Sequence, residues 1–381
     1  MSFSNLGLAP YFFPALAHYQ FTQTSPIQRA AIPAILQRRD VLGIAKTGSG
    51  KTLSYVLPIL QQLQEARALQ YREPTILVLV PTRELADQVS EVFLDFIPCL
   101  NESFKCMAVY GGVSINTQMQ AIGRVNVLIA TPGRLLDLVD KNAVRLSSIE
   151  TLVLDEADKI LNLGFQEEVD QVLGLLPEQR QNVLFSATLS ADLSQVQQVL
   201  LAEPMVFHVE DPEDDIELIH QRGYFVSEDR KGPLLRYLLK TEYAEQHVLV
   251  FVSSKRRADN LVRKLVKNNI DAAAIHSKMG QNARRDTLQR FKDGQVAVLV
   301  ATDLLGRGID IEALPCVINY ELPRSPKDYI HRVGRTGRAN ASGDALSLIT
   351  PAEVNHFKVI QKKMGKQVSM QGSADIDLSR Y

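Results

Sequence analysis

The chain has 381 residues, too many for one ordinary domain, and its 45% apolar and 22% charged composition supplies two soluble cores. The formal net charge of −1 hides an asymmetry: residues 1–208 carry 15 basic against 20 acidic side chains, whereas 218–381 carry 27 against 17. Three cysteines form neither a metal spacing nor a disulfide framework, no apolar run nears the roughly 20 residues that span a bilayer, and no secretory pattern opens the chain, so the expectation is a cytoplasmic protein without membrane attachment.

Short branched apolar runs alternate with longer helix-like stretches along the whole chain. Strands are predicted at 75–80, 106–109, 126–130, 151–154 and 182–185, and again at 248–252, 272–275, 296–300, 316–319 and 345–349. Continuous apolar character implies strands buried on both faces, hence parallel sheets covered by helices. The alternation predicts an α/β chain of two tandem doubly wound parallel-sheet domains, 1–208 and 218–360. Between them, 209–217 holds six acids, one proline and no base, which marks a short acidic linker. Residues 361–381 are pattern-poor and are expected to form a helix end and a loose tail. The basic second half suits a polyanion, although surface lysine and arginine also serve solubility alone.

The first motif is Ala45-Lys46-Thr47-Gly48-Ser49-Gly50-Lys51-Thr52. Its glycines let backbone N–H groups close around phosphate at a helix N-terminus, Lys51 supplies a point charge, and the Thr52 hydroxyl is placed for Mg²⁺. Behind the strand at 151–154 stands Asp155-Glu156-Ala157-Asp158. Asp155 is the candidate Mg²⁺ ligand, and Glu156 the candidate for orienting and deprotonating the attacking water. Dipole preference at a helix start explains one of these acids but not three. Ser186-Ala187-Thr188 follows the next strand, where its hydroxyls either bond Asp158 or cap a helix.

In the second half, Thr302-Asp303-Leu304-Leu305-Gly306-Arg307-Gly308-Ile309-Asp310 follows a strand, at a carboxyl end where α/β ligand sites form. His331-Arg332-Val333-Gly334-Arg335-Thr336-Gly337-Arg338 packs three arginines and a histidine into eight residues. Arginines held by tight turns neutralise charge in phosphoryl transfer, and they equally suit an RNA-contact loop.

The ordered set Ser25-Pro26-Ile27-Gln28, 45–52, Pro81-Thr82-Arg83-Glu84-Leu85-Ala86, Gly111-Gly112, Thr131-Pro132-Gly133-Arg134, 155–158, 186–188, 302–310 and 331–338 resembles the DEAD-box ATP-dependent RNA helicases. The match runs from about residue 3 to 350. The resemblance implies two RecA-like domains, with ATP and Mg²⁺ as cofactors and RNA as the partner. It implies that residues 45–52 bind the nucleotide, that Gln28 reads the adenine edge, that Phe3 stacks on the base and that Phe21 braces the loop. Arg335 and Arg338 match arginine fingers, His331 links the nucleotide and RNA sites, Asp310 matches a ribose contact and Gly308 a nearby backbone contact. Asp158, Ser186 and Thr188 match the pairing that couples hydrolysis to strand separation.

RNA contacts implied by the resemblance are Pro81, Thr82, Arg83, Gly112, Thr131 and Arg134 in the first domain, and Gln281, Arg284 and Thr302 in the second. They are expected on the face away from the nucleotide crevice, holding phosphates and 2′-hydroxyls rather than base edges. The chain departs from the family at Gln20, where glycine is usual, at Thr24-Ser25, where Pro-Thr is usual, and at Gly306. The expected activity is RNA-stimulated ATP hydrolysis driving local, non-processive unwinding. An ATP-gated RNA clamp and a DNA-directed translocase are the rivals. Ribosomal and RNA-decay proteins are the candidate partner classes, and a monomer is the default expectation.

Overall fold

The computed structural model describes residues 2–46, 48–66, 73–188, 200–209, 219–302, 314–337, 343–374 and 376–381, together with all but the side chain of Gln281. The chain divides into two compact units, Met1–Asp211 and Pro212–Tyr381. Their boundary falls inside the acidic stretch expected as a linker, of which 210–217 lies outside the described residues.

The first unit contains strands β1 (Val41–Ile44), β2 (Ile76–Leu79), β3 (Cys106–Val109), β4 (Val127–Ala130), β5 (Thr151–Leu154), β6 (Gln181–Ser186) and β7 (Met205–His208). They lie in the order β3-β4-β2-β5-β6-β1-β7, every pair parallel. The second unit contains β8 (Ile219–Phe225), β9 (Val248–Val252), β10 (Ala272–Ile275), β11 (Val298–Thr302), β12 (Cys316–Asn319), β13 (Gly343–Ile349) and β14 (Ser369–Gly372). Their order is β10-β11-β9-β12-β13-β8-β14, again parallel throughout. Raise each strand number of the first sheet by seven and the second results.

Burial explains why these runs became strands. Val41, Ile76 and Val78 pack in one apolar cluster, while Leu42, Leu77 and Leu79 pack in another. Successive side chains point to opposite faces, so each strand feeds two helix-covered cores. In the second unit Val248, Val250 and Val252 divide from Leu249 and Phe251 in the same way. Among the described residues no helix is long and apolar enough to cross a membrane.

Four strands escaped the sequence expectation. β1 is only four residues long and contains Gly43, and β7 is an edge strand that leaves Val206 55% exposed. β8 mixes His220, Gln221 and Arg222 into its run. The fourth corrects the expected loose tail: within 361–381, β14 adds to the sheet beside β8, and Leu378 joins the core. Short edge strands need few apolar residues, which is why the segment reads as tail.

Candidate functional site

Strand adjacency assembles the site of the first unit. β5, β6 and β1 are neighbours and parallel, so the segments after Leu154, Ser186 and Ile44 leave the sheet at one edge. Ala45 N–H donates to Ser186 O at 2.9 Å, stitching two of these segments together. The turn then passes through Gly48 and Gly50 at φ 82° and 87°, and the helix Lys51–Glu65 begins. Gly50 has a second reason to be glycine: a Cβ there would stand 2.4 Å from Gln28 Nε2. Lys51 is buried, and its ammonium donates to Ala45 O at 2.8 Å. Ser49 Oγ donates to Lys46 O at 2.8 Å, closing the turn on itself. Thr47, expected in this loop, lies outside the described residues.

Asp155 is buried at the end of β5. Burial raises its carboxyl above the usual carboxylate range and Glu156 adds to the rise, while the Lys51 charge opposes it. Two donors hold this carboxylate: Tyr55 Oη at 2.9 Å and Glu156 N–H at 2.8 Å. Tyr55, itself fully buried, has its hydroxyl pushed well up by burial and then by Asp155, so it remains a donor, and Thr52 hydrogen-bonds it in turn. Sequence reasoning missed Tyr55. Its signal was position: four residues after Lys51 it shares the inner face of the helix, and it is a polar-tipped ring in an apolar run.

Glu156 adopts φ 53°, a left-handed conformation that costs an ordinary residue about 1–2 kcal/mol. The strained backbone turns its buried side chain toward Lys159, whose Nζ lies 2.6 Å from Oε1. Glu156 Oε2 is buried without a hydrogen-bond partner among the described residues. Asp158 accepts from Thr188 Oγ1 at 2.9 Å and from Ala187 N–H at 3.5 Å. Ser186 Oγ instead donates to Thr188 O at 2.8 Å, so Thr188 bonds the acid and Ser186 shapes the turn.

Among the described residues no three His, Cys, Asp or Glu side chains converge as a metal cluster. Mg²⁺ in phosphoryl-transfer sites takes one or two protein oxygens, with substrate phosphates and waters completing the shell. Thr52, Asp155 and the orphaned Glu156 oxygen fit that demand, because they offer a hydroxyl, a buried carboxylate and an acceptor for water.

On the adenine side, Ser25 and Gln28 form a capping box on the helix Pro26–Leu36. Ser25 N–H donates to Gln28 Oε1 at 2.9 Å, and Gln28 Nε2 donates to Gly50 O at 3.2 Å. Gln28 therefore joins the capping loop to the phosphate loop. Ser25 fulfils the cap here without the family's threonine, and Arg29 Nη1 fixes Thr24 O at 2.8 Å. Gln20 adopts φ 62°, which explains why glycine is the usual residue there. Of the two aromatics, Phe3 needs correction. Phe3 is 3% exposed in the core and is not available to stack on a base without leaving it, whereas Phe21 is 41% exposed.

The RNA candidates of this unit follow β2, β3 and β4, the adjacent strands at the far end of the same sheet edge. They thus share the carboxyl edge of this sheet with the nucleotide loops. Pro81 leads into Thr82, which caps the helix Arg83–Phe96 through Leu85 N–H, and Thr131 occupies the N-cap of the helix Pro132–Asp140. Gly112, at φ 83°, leaves room for Arg83: a Cβ would meet Arg83 Nη1 at 1.8 Å. Burial and then the nearby Arg134 guanidinium lower the Arg83 pKa, so two cations share one small region. Arg134 is steadied by Val113 O at 3.0 Å and Gln118 Oε1 at 2.8 Å. Two helix N-termini thus lie beside two arginines, an arrangement whose chemistry suits an anion.

In the second unit, Thr302 ends β11, and Arg284 is buried on the helix Gln281–Lys292, which follows β10. His331 lies on the helix Pro326–Val333. Arg332, within the same cluster, is a brace: its Nη1 donates to Asn319 Oδ1 at 3.0 Å and Glu321 O at 2.7 Å, and its guanidinium sits 4.8 Å from the Phe251 ring centroid. Arg335 is only 4% exposed, and its carbonyl accepts from Leu314 N–H at 3.1 Å. Gly308, Asp310 and Arg338, like the side chain of Gln281, lie outside the described residues.

Comparisons with known proteins agree on one family. Residues 25–196 match the DEAD/DEAH box helicase family model, and 230–340 match the helicase conserved C-terminal domain. The chain is 35% identical over 378 residues to a DEAD-box ATP-dependent RNA helicase CshA of Geobacillus kaustophilus, covering 99% of this chain and 79% of that protein. It is 37% identical over 370 residues to RhpA, a DEAD-box ATP-dependent RNA helicase of Helicobacter pylori, covering 97% and 74%. Among solved structures it is similar to S. cerevisiae Dbp5 bound to RNA and ADP BeF3, with a TM-score of 0.84 at 28% identity over 100% of this chain and 97% of that one. It is also similar to a DEAD box protein of Methanococcus jannaschii, with a TM-score of 0.55 at 32% identity over 97% and 99%.

Proposed function

Since the chain belongs to the DEAD-box ATP-dependent RNA helicases, which are ATP-hydrolysing enzymes, we propose that it couples RNA-stimulated hydrolysis of ATP to local, non-processive separation of RNA duplexes and remodelling of RNA–protein complexes. One observation carries the reading. β5 sits between β2, which leads to an RNA-candidate loop, and β6, which leads to the Thr188 contact with Asp158. Its acidic terminus therefore touches both halves of the sheet edge, and Asp155 N–H donates to Leu79 O at 3.0 Å on the RNA side. A change at the terminal phosphate has a short mechanical route to the RNA loops.

Lys51 and the N–H groups at the start of its helix bind the phosphates, and Gln28 with Phe21 orients the adenine. Thr52 and Asp155 would hold Mg²⁺, which would supply charge neutralisation to the phosphates when bound. Glu156 accepts a proton from water as its oxygen bonds the γ-phosphorus and the bond to the ADP oxygen breaks. Arg335 and Arg338 of the second unit neutralise the charge that develops, and His331 relays the state of the nucleotide to RNA. ATP and RNA together draw the two units closed about the 209–217 segment, bending one RNA strand, and phosphate release reopens them. Binding is insensitive to RNA sequence because its contacts are to backbone.

A strand-displacement assay on a short RNA duplex tests this reading. ATP should release a strand at catalytic enzyme levels. Retention of RNA without strand release would replace unwinding by clamping, and equal action on matched DNA would replace RNA by DNA as substrate.

A further inference from the structure

We propose that Lys159 is a positioning residue for hydrolysis: its ammonium clamps one oxygen of Glu156 and thereby presents the other to the attacking water. The inference rests on Glu156 being the base and deepens that reading. Lys159 lies one helical turn beyond Glu156, the spacing at which i,i+3 side chains meet. Its Nζ is 2.6 Å from Oε1, and the two side chains are only 10% and 7% exposed.

An exposed i,i+3 pair would be unremarkable. A buried one is different, because desolvating both charges costs several kcal/mol, roughly what their attraction returns. Stability alone therefore gives little reason to keep the pair. The distribution of partners points the same way. Oε1 is committed, while Oε2 is buried without a hydrogen-bond partner among the described residues. Buried acceptors left in that state are rare, and one beside a strand-end acid cluster is an acceptor awaiting a donor.

Geometry adds the reason for a clamp. A glutamate carboxylate, carried on three side-chain torsions, swings unless something fixes it, and a misplacement of 1 Å in a reacting group costs about 100-fold in rate. The left-handed backbone at Glu156 aims the side chain, and Lys159 stops its rotation. Lys159 transfers no proton. The proton leaves water for Oε2 as the new P–O bond forms, and Glu156 later returns it to the released phosphate or solvent.

The test uses the full chain as wild type, Lys159→Met, Lys159→Arg, Glu156→Gln and the Lys159→Met/Glu156→Gln pair. ATP turnover is measured with and without a uridine oligonucleotide, and retention of that oligonucleotide is measured with ADP and beryllium fluoride. Lys159→Met should lower kcat roughly 10- to 100-fold with the ATP KM and oligonucleotide retention unchanged. Lys159→Arg should recover most of the rate, and the double variant should be no slower than Glu156→Gln, because Lys159 acts through Glu156. Wild-type kcat in Lys159→Met overturns the proposal. So does multiplicative loss in the double variant, or loss of oligonucleotide retention together with turnover, each of which assigns Lys159 a structural role. A wild type indifferent to RNA would sink the helicase reading instead, and the RNA-independent rates would still decide the role of Lys159.

Discussion

The two units share one strand order and carry different chemistry at equivalent strand ends. After β1 comes a glycine turn and a helix that begins with Lys51; after β8, its counterpart, comes a helix whose first turn holds Glu228 and Asp229. Two acids at a helix start repel phosphate, so the second sheet offers no cradle there. After β5 stand Asp155 and Glu156, with one Glu156 oxygen unpartnered among the described residues. After β12, the counterpart of β5, Glu321 is tied to Ser253 N–H and Oγ at 2.7 and 2.6 Å and to Arg257 at 3.0 Å, and the helix that follows bears His331. The scaffold fixes where loops emerge, and loop residues decide whether an acid does chemistry or holds structure. On the proposed reading, the acids of the first unit and the cations of the second are the groups that meet substrate.

Five substitutions break or sharpen this division. The largest effect is expected at the chemistry itself: Glu156→Gln and Arg335→Ala should each lower RNA-stimulated turnover about 1,000-fold, although they lie in different units. Glu156→Gln should still retain RNA when ATP is present. Normal turnover in Arg335→Ala would break the division outright.

Next is Lys231→Met, which removes the partner of Glu353 (2.9 Å away) from an almost fully buried site. It should cost about 3 kcal/mol, seen by calorimetry in the second unit's transition with the first unit's unchanged. Burial alone would raise the Glu353 carboxyl, yet hydrogen bonds from Thr350 and Lys231 hold it below its ordinary value of 4.5. A depressed acid stabilises above that ordinary value and loses its contribution as pH falls through the lowered one. The gap between wild type and Lys231→Met should therefore narrow under acid, below about pH 4.5.

Gly112→Ala should weaken RNA binding about 10-fold, or about 1.4 kcal/mol, by pushing Arg83 aside, with ATP affinity unaffected. Titration of labelled RNA checks it, and an equal loss of ATP affinity would show that the two ends of the sheet edge are not separable. The smallest effect is expected for Gln20→Gly. Relief of about 1–2 kcal/mol of left-handed strain, less glycine's entropy of about 0.5–1, should leave a gain near 0.5 kcal/mol by denaturant titration.

Much of this was legible in the sequence, and the exceptions share a cause. Buried central strands announce themselves because both faces must be apolar, so β2, β5, β9 and β12 were readable from composition. β1 and β14 were not, because four residues, one of them Gly43 or Gly372, carry little pattern. Motif residues were readable as types, whereas their partners were only partly so. A hydroxyl of 186–188 on Asp158 was one of two roles the residues left open, and Tyr55 reaching Asp155 depends on how the sheet is ordered. Phe3 shows the converse hazard: an aromatic at the right sequence distance is buried in the core while Phe21 is exposed. Arg332 repeats the lesson, since three arginines in one short segment include one whose Nη1 is spent on Asn319 and Glu321 within its own unit.

The central claim is that nucleotide chemistry and RNA grip are one coupled event. The most direct measurement is the steady-state rate of ATP hydrolysis by the purified chain with and without saturating single-stranded RNA. The account predicts a rate that rises severalfold on RNA addition and falls back when ribonuclease is added. A rate indifferent to both additions would contradict it.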